Sequence, residues 1–297
     1  MTKRIVFFLS LVLLLSGCEN VNLADYLEKS ADGYEITFCM SKFIVTDFTR
    51  TADGDVSAPS KVEASAKDLG TVVNFAVFMG EEKVKTINQK IADADFGTVK
   101  VVLPAGDYHI VALVHSCSGN ATISSPAKIT FPNNKVTDTF VYTTDLTVGE
   151  DQTIEAELQR VVAMFRFTVE DAIPADVTKM QFYYTGGSST LNADSGFGCV
   201  NSRQTEVREV ADHAAGQVFE VYTFPHDLTG TLSMTITAFD ANGGEYAART
   251  LANVPVEQQK ITNCSMEFFG GGGTPVGSAF TLYGDSEWRG EIKYDAP

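Results

Sequence analysis

The sequence predicts an all-β protein built as two tandem sandwich units, and three observations predict it. Apolar and polar residues alternate with a period of two, turn-forming residues interrupt the chain at short intervals, and one set of landmarks recurs in both halves. The first strand is read from Tyr34, Ile36, Phe38 and Met40, which alternate with Glu35, Thr37, Cys39 and Ser41, giving one face to bury and one to solvate. Strands are then predicted over 71–78, 84–91, 98–103, 108–115, 128–131 and 136–142, separated by clusters of Gly, Asp, Asn and Pro. Short strands with turns this frequent pack face to face as a sandwich.

The second half echoes the first. Leu103-Pro104-Ala105-Gly106 precedes a strand, and Phe131-Pro132 then leads to Lys135-Val136-Thr137-Asp138. Later, Leu228-Thr229-Gly230 precedes a strand, and Val254-Pro255 leads to Lys260-Ile261-Thr262-Asn263. Leu103 stands as far from Lys135 as Leu228 does from Lys260, which is the mark of a repeated unit. The joint falls at Val148-Gly149-Glu150-Asp151, dividing the mature chain into domains over 18–150 and 151–270. A long strand over 153–169 opens the second, with Val161, Ala163, Phe165, Phe167 and Val169 on one face and Arg160 and Arg166 toward solvent or an interface. Four glycines at 270–273 end the pattern. The linker and tail over 271–297 still carry strand-like residues, Phe280, Leu282, Trp288, Ile292 and Tyr294. Apolar anchors without a core of their own are expected to dock on an exposed sheet edge, in the same protomer or a neighbour.

Residues 1–17 read as a secretory signal: Lys3 and Arg4, an apolar run over 5–16, then small residues before Cys18. The run is too short to span a bilayer, which needs about 20 apolar residues. Leu15-Ser16-Gly17-Cys18 resembles a bacterial lipobox, so Cys18 is expected to become a lipidated N-terminus; several acyl chains hold firmly where one binds marginally. The formal net charge of −16, which deepens when Lys3 and Arg4 are removed, repels phosphate backbones and argues against a nucleic-acid partner. Cys39, Cys117, Cys199 and Cys264 remain. Export permits disulfides and the three possible connectivities stay open. Their positions suit small buried or half-buried thiols, with Cys39, on the polar face of its strand, the most accessible.

Nothing in the sequence assembles a catalytic centre, a metal site or a cofactor site. His109 and His115 lie on one face of one strand but roughly 20 Å apart, too far to share an ion. His213 and His226 fall in turn-like segments. No G-x-S-x-G, H-E-x-x-H or P-loop occurs. Glu81-Glu82, Glu170-Asp171 and Asp93-Ala94-Asp95 read as solubilising charge rather than acid–base pairs. The Gly- and Ser-rich stretch 186–198 is the best candidate for a recognition loop. A glycan platform would need two or three exposed coplanar rings, whereas the tyrosines, Tyr142, Tyr183 and Tyr246 among them, scatter through strands where core packing accounts for most.

The lipobox, the tandem sandwiches, Phe96-Gly97 ahead of Leu103-Pro104-Ala105-Gly106-Asp107-Tyr108, the segment Leu158-Gln159-Arg160-Val161-Val162-Ala163 and the later Ala172-Ile173-Pro174 together resemble the fimbrillin superfamily, fimbrial lipoproteins of Gram-negative gut and oral anaerobes. The resemblance extends over nearly the whole mature chain. It implies transthyretin-like sandwiches, passage through the periplasm to the outer membrane and cell surface, partnership with other fimbrial subunits, and no enzymatic activity. In polymerising members a protease cuts after an arginine near the first strand and opens a groove for a neighbour's strand. Arg50, in Phe48-Thr49-Arg50-Thr51, matches that arginine, while anchor subunits keep their lipidated N-terminus. The expected function is therefore a non-enzymatic structural subunit of a surface fimbria, lipid-anchored at Cys18 and assembling or anchoring by β-strand docking. A glycan-binding surface lipoprotein of the same fold is the competing reading.

Overall fold

A computed structural model describes residues 33–44, 65–270 and 291–293. Strands make up most of them, joined by turns and irregular segments, with one helical turn, α1 (Ala66–Leu69), and a short 3-10 turn at Pro132–Asn134. In the first half β1 (Tyr34–Ile44), β2 (Val72–Met79), β3 (Glu82–Lys90), β4 (Thr98–Leu103), β5 (Gly106–His115), β8 (Thr139–Val148) and β9 (Gln152–Arg160) form one sheet in the order β3-β2-β5-β8-β9-β1-β4. β8 and β9 pair through Phe140 opposite Arg160 and Val141 opposite Gln159, at one end of β8 and the far end of β9. That narrow join lets the sheet fold over, and the proof is a contact: the rings of Phe38 on β1 and Phe75 on β2 sit 4.9 Å apart although three strands separate β1 from β2 in the sheet. Between the layers lie Ile36, Phe38, Phe75, Ile110, Phe140 and Leu158, all fully buried. The period-two reading is visible in β4, where Val99, Val101 and Leu103 are buried while Lys100 and Val102 are exposed.

In the second half β10 (Ala163–Val169), β15 (Gln217–Thr223), β18 (Ile261–Met266) and β19 (Glu291–Lys293) form a sheet ordered β15-β10-β18-β19. It faces a second sheet of β11 (Val177–Thr185), β14 (Gln204–Glu209), β16 (Thr229–Asp240) and β17 (Glu245–Glu257), ordered β14-β11-β16-β17. Phe167 and Phe182 meet edge to face across the gap, with ring centroids 6.1 Å apart. Complete burial of such a side chain stabilises the fold by roughly 1.5–3 kcal/mol.

A third core lies between the two sandwiches. β6 (Thr122–Ser125) and β7 (Lys128–Thr130) of the first half join β12 (Thr190–Asn192) and β13 (Phe197–Gly198) of the second in one small sheet, with Thr190 opposite Thr130 and Leu191 opposite Ile129. Phe131 and Phe224, one from each half, pack against each other at a tilt, with centroids 5.3 Å apart. Val161, Val162, Val111, Leu113 and Ile261 complete this core.

The structure corrects three expectations from the sequence. The long strand over 153–169 is two strands in different sheets: β9 belongs to the first sheet, β10 to the second, and the chain crosses at Val161-Val162 rather than at 148–151, which is the β8–β9 turn. Both valines are buried in the third core, which ends the alternation there. Arg160 does not face solvent; it is 3% exposed, its Nε and Nη2 donate to the two Asp138 carboxylate oxygens at 2.8 Å each, and its guanidinium stands 4.7 Å over Phe140. The stretch 186–198 is exposed only in part: Ser188, Ser189, Thr190 and Leu191 are buried, while Asp194 and Ser195 are exposed. Its glycines serve close packing, since a Cβ on Gly187 would lie 2.0 Å from Thr223 Oγ1 and one on Gly198 only 2.4 Å from Ser188 Cβ.

Candidate functional site

Two features of the sheets bear on how this protein meets partners, and both are strands at the chain's ends. β1 runs antiparallel to β4 on one side and parallel to β9 on the other. Ile36 and Phe38 are wholly buried and Met40 nearly so. An internal strand with apolar residues on one face and two ladders of backbone hydrogen bonds is part of the sheet, not an appendage to it. At the other end, β19 lies along β18 in parallel register, with Ile261 opposite Glu291, Thr262 opposite Ile292 and Asn263 opposite Lys293. Without it β18 would present an open row of backbone donors and acceptors.

The remaining edges are managed differently. β15 is sealed by side chains from the facing sheet: Arg208 Nε donates to the Glu220 carbonyl at 3.1 Å, and the Tyr184 hydroxyl to the Tyr222 carbonyl at 2.8 Å. β3 carries Lys83, Lys85 and Lys90, which disfavour edge-to-edge pairing. β4 is the edge beside β1, with Val102 half exposed and Lys100 paired to Glu35 at 3.3 Å.

Of the predicted site residues, the structure describes the backbone of Ile292, in β19. Cys18, Arg50, Phe280, Leu282, Trp288 and Tyr294 lie outside the described residues. The charge read as solubilising at Asp171 has a structural task that sequence reasoning missed. Its carboxylate accepts from the backbone N–H groups of Phe268, Phe269 and Gly270 at 2.8, 2.7 and 2.6 Å, fixing the chain just after β18. A single Asp within a Glu-Asp pair carries no sequence signal of three amides arriving from almost a hundred residues away.

The histidines are structural. His115 is fully buried; its Nδ1 accepts from the Cys117 N–H at 3.1 Å, which leaves Nε2–H to donate to Asn74 Oδ1 at 2.7 Å. Burial lowers its pKa to about 4, so the neutral ring is the native form. His109 Nδ1 meets Asp145 Oδ1 at 2.7 Å. His213 and His226 bond backbone carbonyls of Ile173, Pro174 and Gly198. All four described cysteines are free thiols; Cys117 and Cys264 are buried, and burial pushes the Cys264 thiol up to about 12. Cys199, not Cys39, is the exposed one, because it follows β13 into a surface turn while Cys39 sits within an internal strand. Among the described residues no group of acidic, His and Cys side chains has the makings of a metal site.

These features define a class: an all-β protein of stacked sheets whose terminal strands are built into its sandwiches. The chain belongs to the family of fimbrillin-A associated anchor proteins Mfa1 and Mfa2, whose family model matches residues 53–265. That family has a structural fimbrial or cell-adhesion role and is not an enzyme family. No curated protein matches by sequence. Among solved structures, the chain is similar to a proposed adhesin from Bacteroides ovatus, at 14% identity over 80% of this chain and 88% of the other, with a TM-score of 0.48. It is also similar to the fimbrial anchor protein Mfa2 from Porphyromonas gingivalis, at 12% identity over 75% and 83%, with a TM-score of 0.40. A proposed cell-adhesion protein from Bacteroides fragilis aligns at 13% identity over 85% and 99%, with a TM-score of 0.42.

Proposed function

We propose that this protein is the anchor-type subunit of a cell-surface fimbria, held to the outer membrane by lipid on Cys18 and joined to other fimbrial subunits by strand docking. The observation that carries the reading is the placement of β1. It is the first described strand after Cys18, and it is fixed between β9 and β4 with Ile36, Phe38 and Met40 in the core. Tension between the membrane and a fimbria would enter the fold through this strand. Sliding it out requires both flanking ladders to break together, so the load is shared among many hydrogen bonds rather than peeled one by one. An anchor needs that, and it needs the segment from Cys18 through β1 to stay covalently joined to the rest of the fold, so Arg50 is uncut in this reading. The two sandwiches, divided at Val161-Val162, act as domains joined by the third core. The tail containing Phe280, Leu282, Trp288, Ile292 and Tyr294 docks on the β18 edge, with β19 as its seat.

The lipid part is tested by Cys18→Ala. The variant is expected to leave the membrane fraction and to be recovered as soluble or unprocessed precursor; if it still partitions with detergent-extracted membranes, another segment holds the protein and the reading fails.

A further inference from the structure

We propose that Asn242 is a modification site of the mature protein, converted without an enzyme to aspartate and isoaspartate through attack by the backbone nitrogen of Gly243. It stands at the tip of the hairpin joining β16 and β17, the longest strands of the second half. Residues 241–246 are all exposed there. Asn242 is the one asparagine of the sequence followed by glycine; every other is followed by a residue whose side chain crowds the next backbone nitrogen.

The turn demands the very glycine that makes the asparagine labile. The Asp240 N–H donates to the Gly244 carbonyl at 2.9 Å and the Gly243 N–H to the Asp240 carbonyl at 3.1 Å, closing a loop of Ala241, Asn242 and Gly243. The last residue of such a loop takes a left-handed conformation, and Gly243 has a φ of +82°. A Cβ at this position would have no other heavy atom within 4 Å, so the chain beside the attacking nitrogen is open. Asp240 holds the flanking amides more tightly: its Oδ1 accepts from the Asn242 N–H at 2.8 Å and the Gly244 N–H at 2.7 Å. The Gly243 nitrogen, between them, has the longest bond of the three.

The Gly243 nitrogen loses its proton to solvent base and bonds to Asn242 Cγ. The Cγ–Nδ2 bond breaks, and the side-chain nitrogen takes up a proton and leaves as ammonia. Water then opens the cyclic imide at either carbonyl. Cleavage at Cγ restores the ordinary main chain with an aspartate; cleavage at the main-chain carbonyl leaves isoaspartate, whose chain runs through Cβ and Cγ and is longer by a methylene. Either product puts a new carboxylate between those of Asp240 and Glu245, where like charges repel. Isoaspartate also lengthens the segment between the two amides that Asp240 Oδ1 gathers, which loosens the hairpin tip. The site uses neither β1 nor the tail, so it is independent of the anchoring role.

The test is peptide mapping by mass spectrometry of the folded mature chain, aged at physiological temperature in neutral and in mildly alkaline buffer. Position 242 is expected to gain the mass of an amide exchanged for an acid, with isoaspartate among the products, and to do so faster in the alkaline buffer because the attacking nitrogen must lose its proton. Asn201 is the internal control: it is exposed too, but is followed by Ser202, whose N–H donates to the Gly187 carbonyl at 3.1 Å, and it should remain an amide. Gly243→Ala, whose methyl group meets no neighbour, should slow the conversion at least about tenfold. Conversion of Asn201 as fast as Asn242, conversion of Asn242 only in urea-unfolded chain, or an unchanged rate in folded Gly243→Ala overturns the proposal.

Discussion

At the residue scale, the informative positions are polar groups placed where apolar ones would be expected. His115 is neutral in the fold with a pKa of about 4, against about 6.5 when unfolded. As pH falls below 6.5 the unfolded chain takes up a proton that the native ring refuses, so native stability declines and levels off once pH passes 4. The full loss is on the order of 3 kcal/mol. Chemical denaturation of wild type and His115→Gln across that window checks this: the wild-type curve should carry the extra slope and the variant should lack it, whatever the variant's baseline stability. Arg160 and Asp171 make the companion point. The sequence read Arg160 as facing solvent or an interface and Asp171 as solubilising charge, because burial of a charge depends on a partner brought in by tertiary structure, and neither Asp138 nor the amides after β18 announce themselves by spacing.

At the scale of elements, strands with one buried face were legible. The alternation in 34–41 and 98–103 follows directly from period-two geometry, and β1 and β4 pair there with Ile36 opposite Val101 and Phe38 opposite Val99. The β9–β10 break was not legible, since residues 161–165 are buried on both faces and an unbroken apolar run hides a change of sheet. The 186–198 stretch misled for a different reason: glycine and serine mark loops, and they also mark places where backbones approach closely. Gly187 is the second kind. Gly187→Ala would drive a methyl group into Thr223, which is buried at the end of β15 and hydrogen-bonded to Gln204 of the facing sheet, and overpacking of this sort costs about 1–3 kcal/mol. A lowered urea midpoint with an unchanged slope is expected; a midpoint equal to wild type would mean the backbone around Gly187 and Thr223 yields more easily than its packing indicates. The tail belongs to this scale as well. Deleting 274–297 strips β19 from β18 and should lower the thermal midpoint of the isolated chain, whereas loss of partner co-purification at an unchanged midpoint would assign the tail to a neighbour instead.

At the scale of the whole molecule, fold class and family were both readable from the sequence, because an all-β pattern with recurrent landmarks is a global property that survives local errors. What the sequence could not convey is how the halves are joined, by a shared small sheet and a common core, Phe131 against Phe224, rather than by a linker. A joint of this kind suits the proposed passage of tension from membrane to fimbria through β1. The most direct measurement of this account is the intact mass of the mature protein extracted from outer membranes. The account predicts one species carrying acyl chains on Cys18 with the Arg50–Thr51 bond unbroken. An N-terminus at Thr51, or an unmodified Cys18, would contradict it: the first severs the segment carrying β1 from the rest of the fold, and the second leaves that segment without its proposed hold on the membrane.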